Sequence, residues 1–157
     1  MPQRYIDTTL FDLFKVGPGP SSSHTIGPMK AGHHFAETCA ALPRDLLVRA
    51  VRFRVRLYGS LSATGTGHGT DAAVVAGLLG TAPESCPAGL LQELMDDPHT
   101  RRKRSLGDGQ VSVCVDDVSH DAIIHDFPYS NTLVADLLDA EDKVLHSQEY
   151  YSVGGGF

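Results

Sequence analysis

Several things are scarce in this sequence, and each scarcity excludes something. Its 157 residues hold three cysteines, Cys39, Cys86 and Cys114, odd in number and far apart. With no Cys-x-x-Cys pair, neither a disulfide framework nor a local metal knuckle is signalled, and three reduced, mostly buried thiols are expected. No apolar run approaches the roughly 20 residues of a membrane span. The N-terminus lacks a signal peptide's apolar segment, so a cytoplasmic location with no membrane partner is expected. Positive charge is short: 13 Lys and Arg stand against 19 Asp and Glu, a net charge of -6. Nucleic acids and anionic membranes both ask for a basic face, so neither is expected as a partner. Arg52, Arg54 and Arg56 and the run Arg101 to Arg104 are local exceptions and read as solvated faces. The Gly-Lys-Ser/Thr ending of a P-loop is absent, as is the Gly-x-Ser-x-Gly elbow of an α/β-hydrolase. There is no internal repeat and no low-complexity linker.

What is present suits one domain with a real core, since 41% of the residues are hydrophobic. Thr9 to Phe14 reads as a short helix, ended by Gly17, Pro18, Gly19 and Pro20. A second helix is expected from about Pro28 to Leu42. Val51 to Leu57 alternates, with Val51, Phe53, Val55 and Leu57 on one face and the three arginines on the other, the period of a half-buried strand. Thr70 or Asp71 then caps a helix through Leu79, whose apolar stripe is Ala72, Val75, Ala76 and Leu79. A further helix is expected from Ala88 to about Asp96. After Gly107-Asp-Gly109 the pattern turns to strands: Val111, Val113 and Val115 alternate with polar residues, and Ala122 to Phe127 is a short apolar run. Thr132 to Leu138 and Lys143 to Tyr151 form a hairpin around an Ala-Glu-Asp turn. Helices early and antiparallel strands late predict an α+β fold, a two-layer sandwich with a mixed or antiparallel sheet and helices on one side.

Two stretches carry candidate chemistry. In Gly17 to Thr25, the residues Ser21, Ser22, Ser23, His24 and Thr25 stand in a row ahead of a helix. Hydroxyls and N–H groups there suit a small anion such as a carboxylate, and His24 adds a group that titrates near neutrality. The plainer reading, a helix cap with spare hydroxyls, stays open. The second stretch is Tyr58 to Asp71, glycine-rich and placed between a strand and a helix. Its Gly-x-Gly-x-Gly spacing is not a dinucleotide fingerprint, but glycines let the backbone approach a ligand closely. His68 lies among them, with Ser60 and Ser62 before it and Asp71 three residues on. A general base near a carboxylate and a loop histidine in solvent are both open readings. Adjacent His33 and His34 cannot share a helix face, which argues against a metal. They and His99, His120, His125 and His146 read as surface or satisfied core residues. Asn131 reads as a turn residue, and Tyr150 and Tyr151 as edge-strand packing.

With these residues in view, the chain resembles the N-terminal, or beta, domain of the iron–sulfur-dependent bacterial L-serine dehydratases (L-serine ammonia-lyases). The resemblance rests on Leu10-Phe-Asp-Leu-Phe-Lys15, Gly19-Pro-Ser-Ser-Ser-His-Thr-Ile-Gly-Pro-Met-Lys-Ala-Gly32, Tyr58-Gly-Ser-Leu-Ser-Ala-Thr-Gly-Thr-Gly-His-Gly-Thr-Asp71 and Tyr150-Tyr-Ser-Val-Gly-Gly-Gly-Phe157. It implies that residues 1–157 are one such domain, cut at a linker ahead of an alpha domain or meeting a separate alpha subunit. It further implies conversion of L-serine to pyruvate and ammonia, with a 4Fe–4S cluster whose ligands lie outside this chain, so that the fragment alone is inactive. By the same resemblance His68 is the catalytic base and His24 lies in the site. Ser21, Ser22, Ser23, Thr25, Ser60, Ser62, Asp71 and Asn131 then bind or support substrate, although Thr132 stands where the family has Gly after the Asn. The family's beta domain also resembles the allosteric substrate-binding domain of some phosphoglycerate dehydrogenases. That supports the sandwich fold and supplies an alternative, a non-catalytic module that binds a small acid for regulation or assembly. A homo-oligomer is expected, with the arginine face of Val51 to Leu57 as a possible interface.

Overall fold

Alternation at Val51 to Leu57 produces the strand it predicts, β2 (Ala50–Tyr58), and the fold is built on it. A computed structural model of the chain describes residues 7–9, 26–59, 70–87, 89–107, 109–121 and 132–151. In chain order the elements are β1 (Asp7–Thr9), α1 (Ile26–Ala40), α2 (Arg44–Leu47), β2, α3 (Thr70–Leu78), α4 (Leu90–Asp96), β3 (Arg102–Leu106), β4 (Gly109–Val113), β5 (Val118–His120), β6 (Thr132–Asp139) and β7 (Val144–Tyr151). Two short 3-10 turns, Pro83–Ser85 and Val115–Asp117, complete the described elements. The strands form one sheet in the order β1-β7-β6-β2-β4-β3, and β5 also pairs with β2. β6 is antiparallel to both β2 and β7, while β1 runs parallel to β7, and β4 and β5 run parallel to β2. The sheet is therefore mixed and the class α+β, as expected.

One face of the sheet carries the core. Phe53, Val55 and Leu57 of β2 and Leu133, Ala135 and Leu137 of β6 are buried there with Met29, Phe35, Ala36 and Cys39 of α1. The Phe35 and Phe53 rings meet edge to face with centroids 6.0 Å apart, and such pairs add to plain area burial. α3 lies inside this layer. All its residues but Asp71 are buried, so the expected stripe does not exist and the helix is apolar nearly all round, as an enclosed helix is. Gly32 and Gly77 make the α1–α3 crossing close. A Cβ on Gly32 would stand 2.5 Å from the Val74 carbonyl oxygen, and one on Gly77 would be 2.8 Å from the His33 nitrogen and nearer still to the Met29 carbonyl.

The other face corrects the expectation of a solvated arginine row. Register sets Arg54 opposite Asp136 and Arg56 opposite Val134, and paired residues share a face. The Asp136 side chain is fully buried. It accepts hydrogen bonds from Arg54 Nε at 3.0 Å and Nη2 at 2.7 Å, Arg56 Nη2 at 3.1 Å and Ser147 Oγ at 2.7 Å. Arg52 is held between Asp117 and Asp142 at 3.2 and 2.9 Å. The polar half of the alternation is thus neutralised by acids brought from β6 and the turns, and β6 is buried on both faces.

Other expectations shift. Thr9 ends a strand instead of starting a helix, and residues 10–14 lie outside the described residues. The run Arg101 to Arg104 is mostly β3, an edge strand paired with β4. Among the described residues β3 is the end strand on that side of the sheet, and charge on such a strand is a common device against further pairing. Val51 is exposed rather than aligned with Phe53, because the ladder slips between Ala50 and Arg52. Val115 lies in a 3-10 turn past β4, and the run 122–127 lies outside the described residues. Tyr150 is no edge residue: β7 sits between β1 and β6, and the ring is fully buried. The expected hairpin is present. Asp139 Oδ1 accepts from the N–H groups of Glu141 and Lys143, both at 2.9 Å, and Asp142 takes φ of 63°, a conformation that Asp tolerates better than most residues. Among the described residues no helix is long and apolar enough to cross a membrane.

Candidate functional site

The strand directions bring five strand ends to one edge. β2 and β5 end side by side, with Leu57 paired to His120. Tyr58 pairs with Thr132 where β6 begins, Thr132 pairs with Tyr151 where β7 ends, and Tyr151 pairs with Thr9 where β1 ends. α3 starts at this edge, because its Asp71 reaches His120. The candidate residues are joined to these ends by the chain. Ser60, Ser62 and His68 lie between Gly59 and Thr70, Asn131 directly precedes Thr132, and Ser21, Ser22, Ser23, His24 and Thr25 lie between Thr9 and Ile26. All nine fall outside the described residues. Asp71 is the one candidate the structure describes.

Asp71 stands in the first turn of α3, where a carboxylate complements the helix dipole. Its partner among the described residues is His120, which sequence reasoning had left as a scattered histidine. His120 Nε2 lies 3.0 Å from Oδ2 and 2.9 Å from Oδ1. An ionised carboxylate only accepts, so Nε2 carries the hydrogen, and the hydrogen-bond geometry favours Oδ2. Oδ1 is buried and has no hydrogen bond of its own among the described residues. The next residue continues the contact: Asp121 N–H donates to the Leu57 carbonyl at 2.8 Å, and Ser119 Oγ donates to Asp121 Oδ1 at 2.8 Å. Beside them burial pushes the Tyr58 phenol above its ordinary pKa, with Arg56 opposing and Asp121 reinforcing the shift. No spacing in the sequence could pair His120 with Asp71, since their meeting depends on the β5–β2 register.

A second polar cluster lies along α1. Lys30, His33, His34 and Glu37 line a cleft of about 330 Å³ with Pro83 and Glu84, so the adjacent histidines do face one space. His34 Nδ1 is 2.7 Å from the Tyr150 hydroxyl. Burial, and secondarily His33, lowers the His34 pKa, while burial raises that of Tyr150. Among the described residues, Asp71 does not line this cleft.

The described residues do not form a place for a metal or a cluster. Among them no group of three or more His, Cys, Asp or Glu side chains could hold an ion. Cys39 and Cys114 are buried and Cys86 is half-buried, all as free thiols. Burial pushes the thiol pKa of Cys39 and Cys114 up, and the Asp117 charge adds to this at Cys114. A ligating sulfur must be a thiolate, which these surroundings disfavour.

Comparison with known proteins adds to this geometry. A family model described as serine dehydratase beta chain matches residues 9–157. L-serine dehydratase 2 of Escherichia coli is 41% identical over 155 residues, covering 95% of this chain and 32% of that protein. An L-serine dehydratase of Streptomyces coelicolor is 40% identical over 154 residues, covering 95% and 33%. One from Helicobacter pylori is 36% identical over 152 residues, covering 95% and 32%. The chain spans about a third of the length of these relatives.

Proposed function

Because the chain belongs to the serine dehydratase beta-chain family, we propose that it is the beta part of an L-serine dehydratase and supplies substrate-binding and proton-transfer groups to a site completed by an alpha domain or subunit. L-serine gives up its Cα proton and its Cβ hydroxyl as water. The resulting 2-aminoacrylate becomes the imine and takes up water to give pyruvate and ammonia. The observation that carries the reading is the meeting of Thr9, Tyr58, His120, Thr132 and Tyr151 at one sheet edge, with Asp71 beside it and Ser60, Ser62, His68 and Asn131 within a few residues along the chain.

In this reading Ser21, Ser22, Ser23 and Thr25 donate to the serine carboxylate, with His24 beside them. His68 takes the Cα proton, and a base of such a weakly acidic proton must be well placed before its pKa matters. Ser60 and Ser62 donate to substrate, Asp71 supports the base, and Asn131 completes the wall. The 4Fe–4S cluster implied by the family resemblance is held by residues outside this chain and, when bound, supplies a Lewis acid for the departing hydroxyl.

The test is pyruvate formation from L-serine by the full-length protein, prepared without oxygen. Activity that is lost on exposure to air, and a kcat lowered roughly 100-fold or more by His68→Ala with little change in serine binding, are expected. If anaerobic protein with an intact cluster makes no pyruvate, the reading fails. If His68→Ala weakens binding while turnover at saturation survives, the chain is a small-acid-binding module.

A further inference from the structure

We propose that His120 is a positioning residue of this site, fastening the two stems of the glycine-rich segment 60–69. The inference rests on the function proposed above, since it concerns the segment that carries His68.

That segment leaves β2 after Gly59 and enters α3 at Thr70. Three of the ten residues between these stems are glycine, the residue type whose ordering costs the most backbone entropy. Fixing both stems lowers that cost. Residues 120 and 121 touch one stem each. Asp121 N–H donates to the Leu57 carbonyl on the β2 side at 2.8 Å. His120 Nε2–H donates to Asp71 on the α3 side, with oxygens at 2.9 and 3.0 Å. The His120 and Asp71 side chains are only 23% and 17% exposed, so water competes weakly for this charge-assisted bond. β5 is three residues long, and its register with β2 (Val55 to Val118, Leu57 to His120) sets where the histidine stands. Among the described residues Asp71 Oδ1 is buried without a hydrogen bond of its own, so the carboxylate keeps capacity for a second donor while His120 holds it.

The experiment uses the full-length protein, anaerobic and with its alpha part, as wild type, His120→Ala and His120→Gln. Two readouts are taken: amide hydrogen exchange by mass spectrometry, and kcat and KM for L-serine. In His120→Ala, exchange across 60–70 should speed up roughly tenfold while the β6–β7 hairpin stays unchanged. Its kcat should fall between roughly tenfold and a hundredfold with KM within about twofold, as misplacement of a catalytic group does. His120→Gln retains an N–H donor and should recover most of both. His99→Ala, which removes an exposed histidine paired with Asp116, should change neither. Wild-type exchange at 60–70 in His120→Ala would overturn the proposal, as would faster exchange throughout the chain or an unchanged kcat. Should His120→Ala fail to fold, His120→Gln decides: near-native values support the proposal, and a loss of kcat with native exchange at 60–70 overturns it. Should wild type itself make no pyruvate, the dehydratase reading falls and the exchange data alone decide whether His120 fastens the stems.

Discussion

Replacing Gly32 by alanine tests the α1–α3 crossing directly. Alanine is the better helix former by about 1 kcal/mol, so on propensity alone the change stabilises. The structure reverses that sign. The new Cβ would lie 2.5 Å from the Val74 carbonyl oxygen and 3.1 Å from the Leu78 nitrogen. A carbon and an oxygen need about 3.3 Å, and the obstacle is backbone, so the helices must part by a little under about 1 Å. Overpacking of this kind costs about 1–3 kcal/mol, and a gap of that width forfeits about a quarter to a half of each dispersion contact along the seam. With the dispersion loss over the seam put at about 1 kcal/mol and the propensity gain of about 1 kcal/mol set against it, a net loss of about 1–3 kcal/mol is expected. For a chain of this size that lowers Tm by about 2–12 °C. Gly77→Ala should cost more, because its Cβ would come closer to the Met29 carbonyl. The double variant should cost less than the two losses added, because helices already parted accommodate the second methyl. Gly89→Ala, whose Cβ meets nothing within 4 Å, should lose at most about 1 kcal/mol from the poorer cap. Thermal unfolding followed by circular dichroism reads all four. A Tm for Gly32→Ala at or above the parent's would refute the reasoning.

On the opposite face, Asp136→Asn removes the one anion shared by Arg54 and Arg56, so a loss near the lower end of about 3–5 kcal/mol is expected from urea unfolding, since both arginines are about a third exposed. Asp142→Asn, at a side chain 63% exposed and at a positive φ that Asn also tolerates, should cost no more than about 1 kcal/mol, and equal losses for the two would contradict the burial argument. Stability should also depend on pH through His34 and His146, whose pKa values burial holds below the ordinary 6.5. The unfolded chain then binds more protons than the folded one below about pH 6.5, so this contribution is complete above that value and is lost as pH falls through it. Urea midpoints at pH 7.5 and 5.5 should differ in that sense, and His146→Phe, which keeps the stack on Phe35, should reduce the difference; an unaltered pH dependence in that variant would exclude His146 as a source.

Elements with a strong local signal are legible in the sequence: β2 from its alternation, α1 from the proline that suits its first turn, α3 from the Thr70–Asp71 cap after the glycines, and the β6–β7 hairpin from its turn. What was not legible depended on partners far along the chain. The arginines of β2 looked wet because nothing nearby in sequence announced that Asp136 would stand opposite Arg54. β3 looked like a charged surface run, since an edge strand with Arg and Lys has no apolar alternation to betray it. α3 was given a stripe because a short helix of Ala, Val and Leu has no polar face to show whether one side or every side is covered. The same limit holds at the site. Asp71 was marked as a candidate by its place after the glycines, but its contact with His120 follows from a strand register that no motif records.

The pairing of β1 with β7 has a temporal consequence. Residues 7–9 are made well before their partners, residues 149–151, and β2 must likewise await β6 across some 80 positions. During synthesis the first strand therefore emerges with no edge to join. The two local hairpins, β3–β4 and β6–β7, can close quickly, whereas the sheet's middle and its far edge pay the full delay of distant loop closure. The edge that gathers the strand ends is thus the last part of this sheet to be assembled.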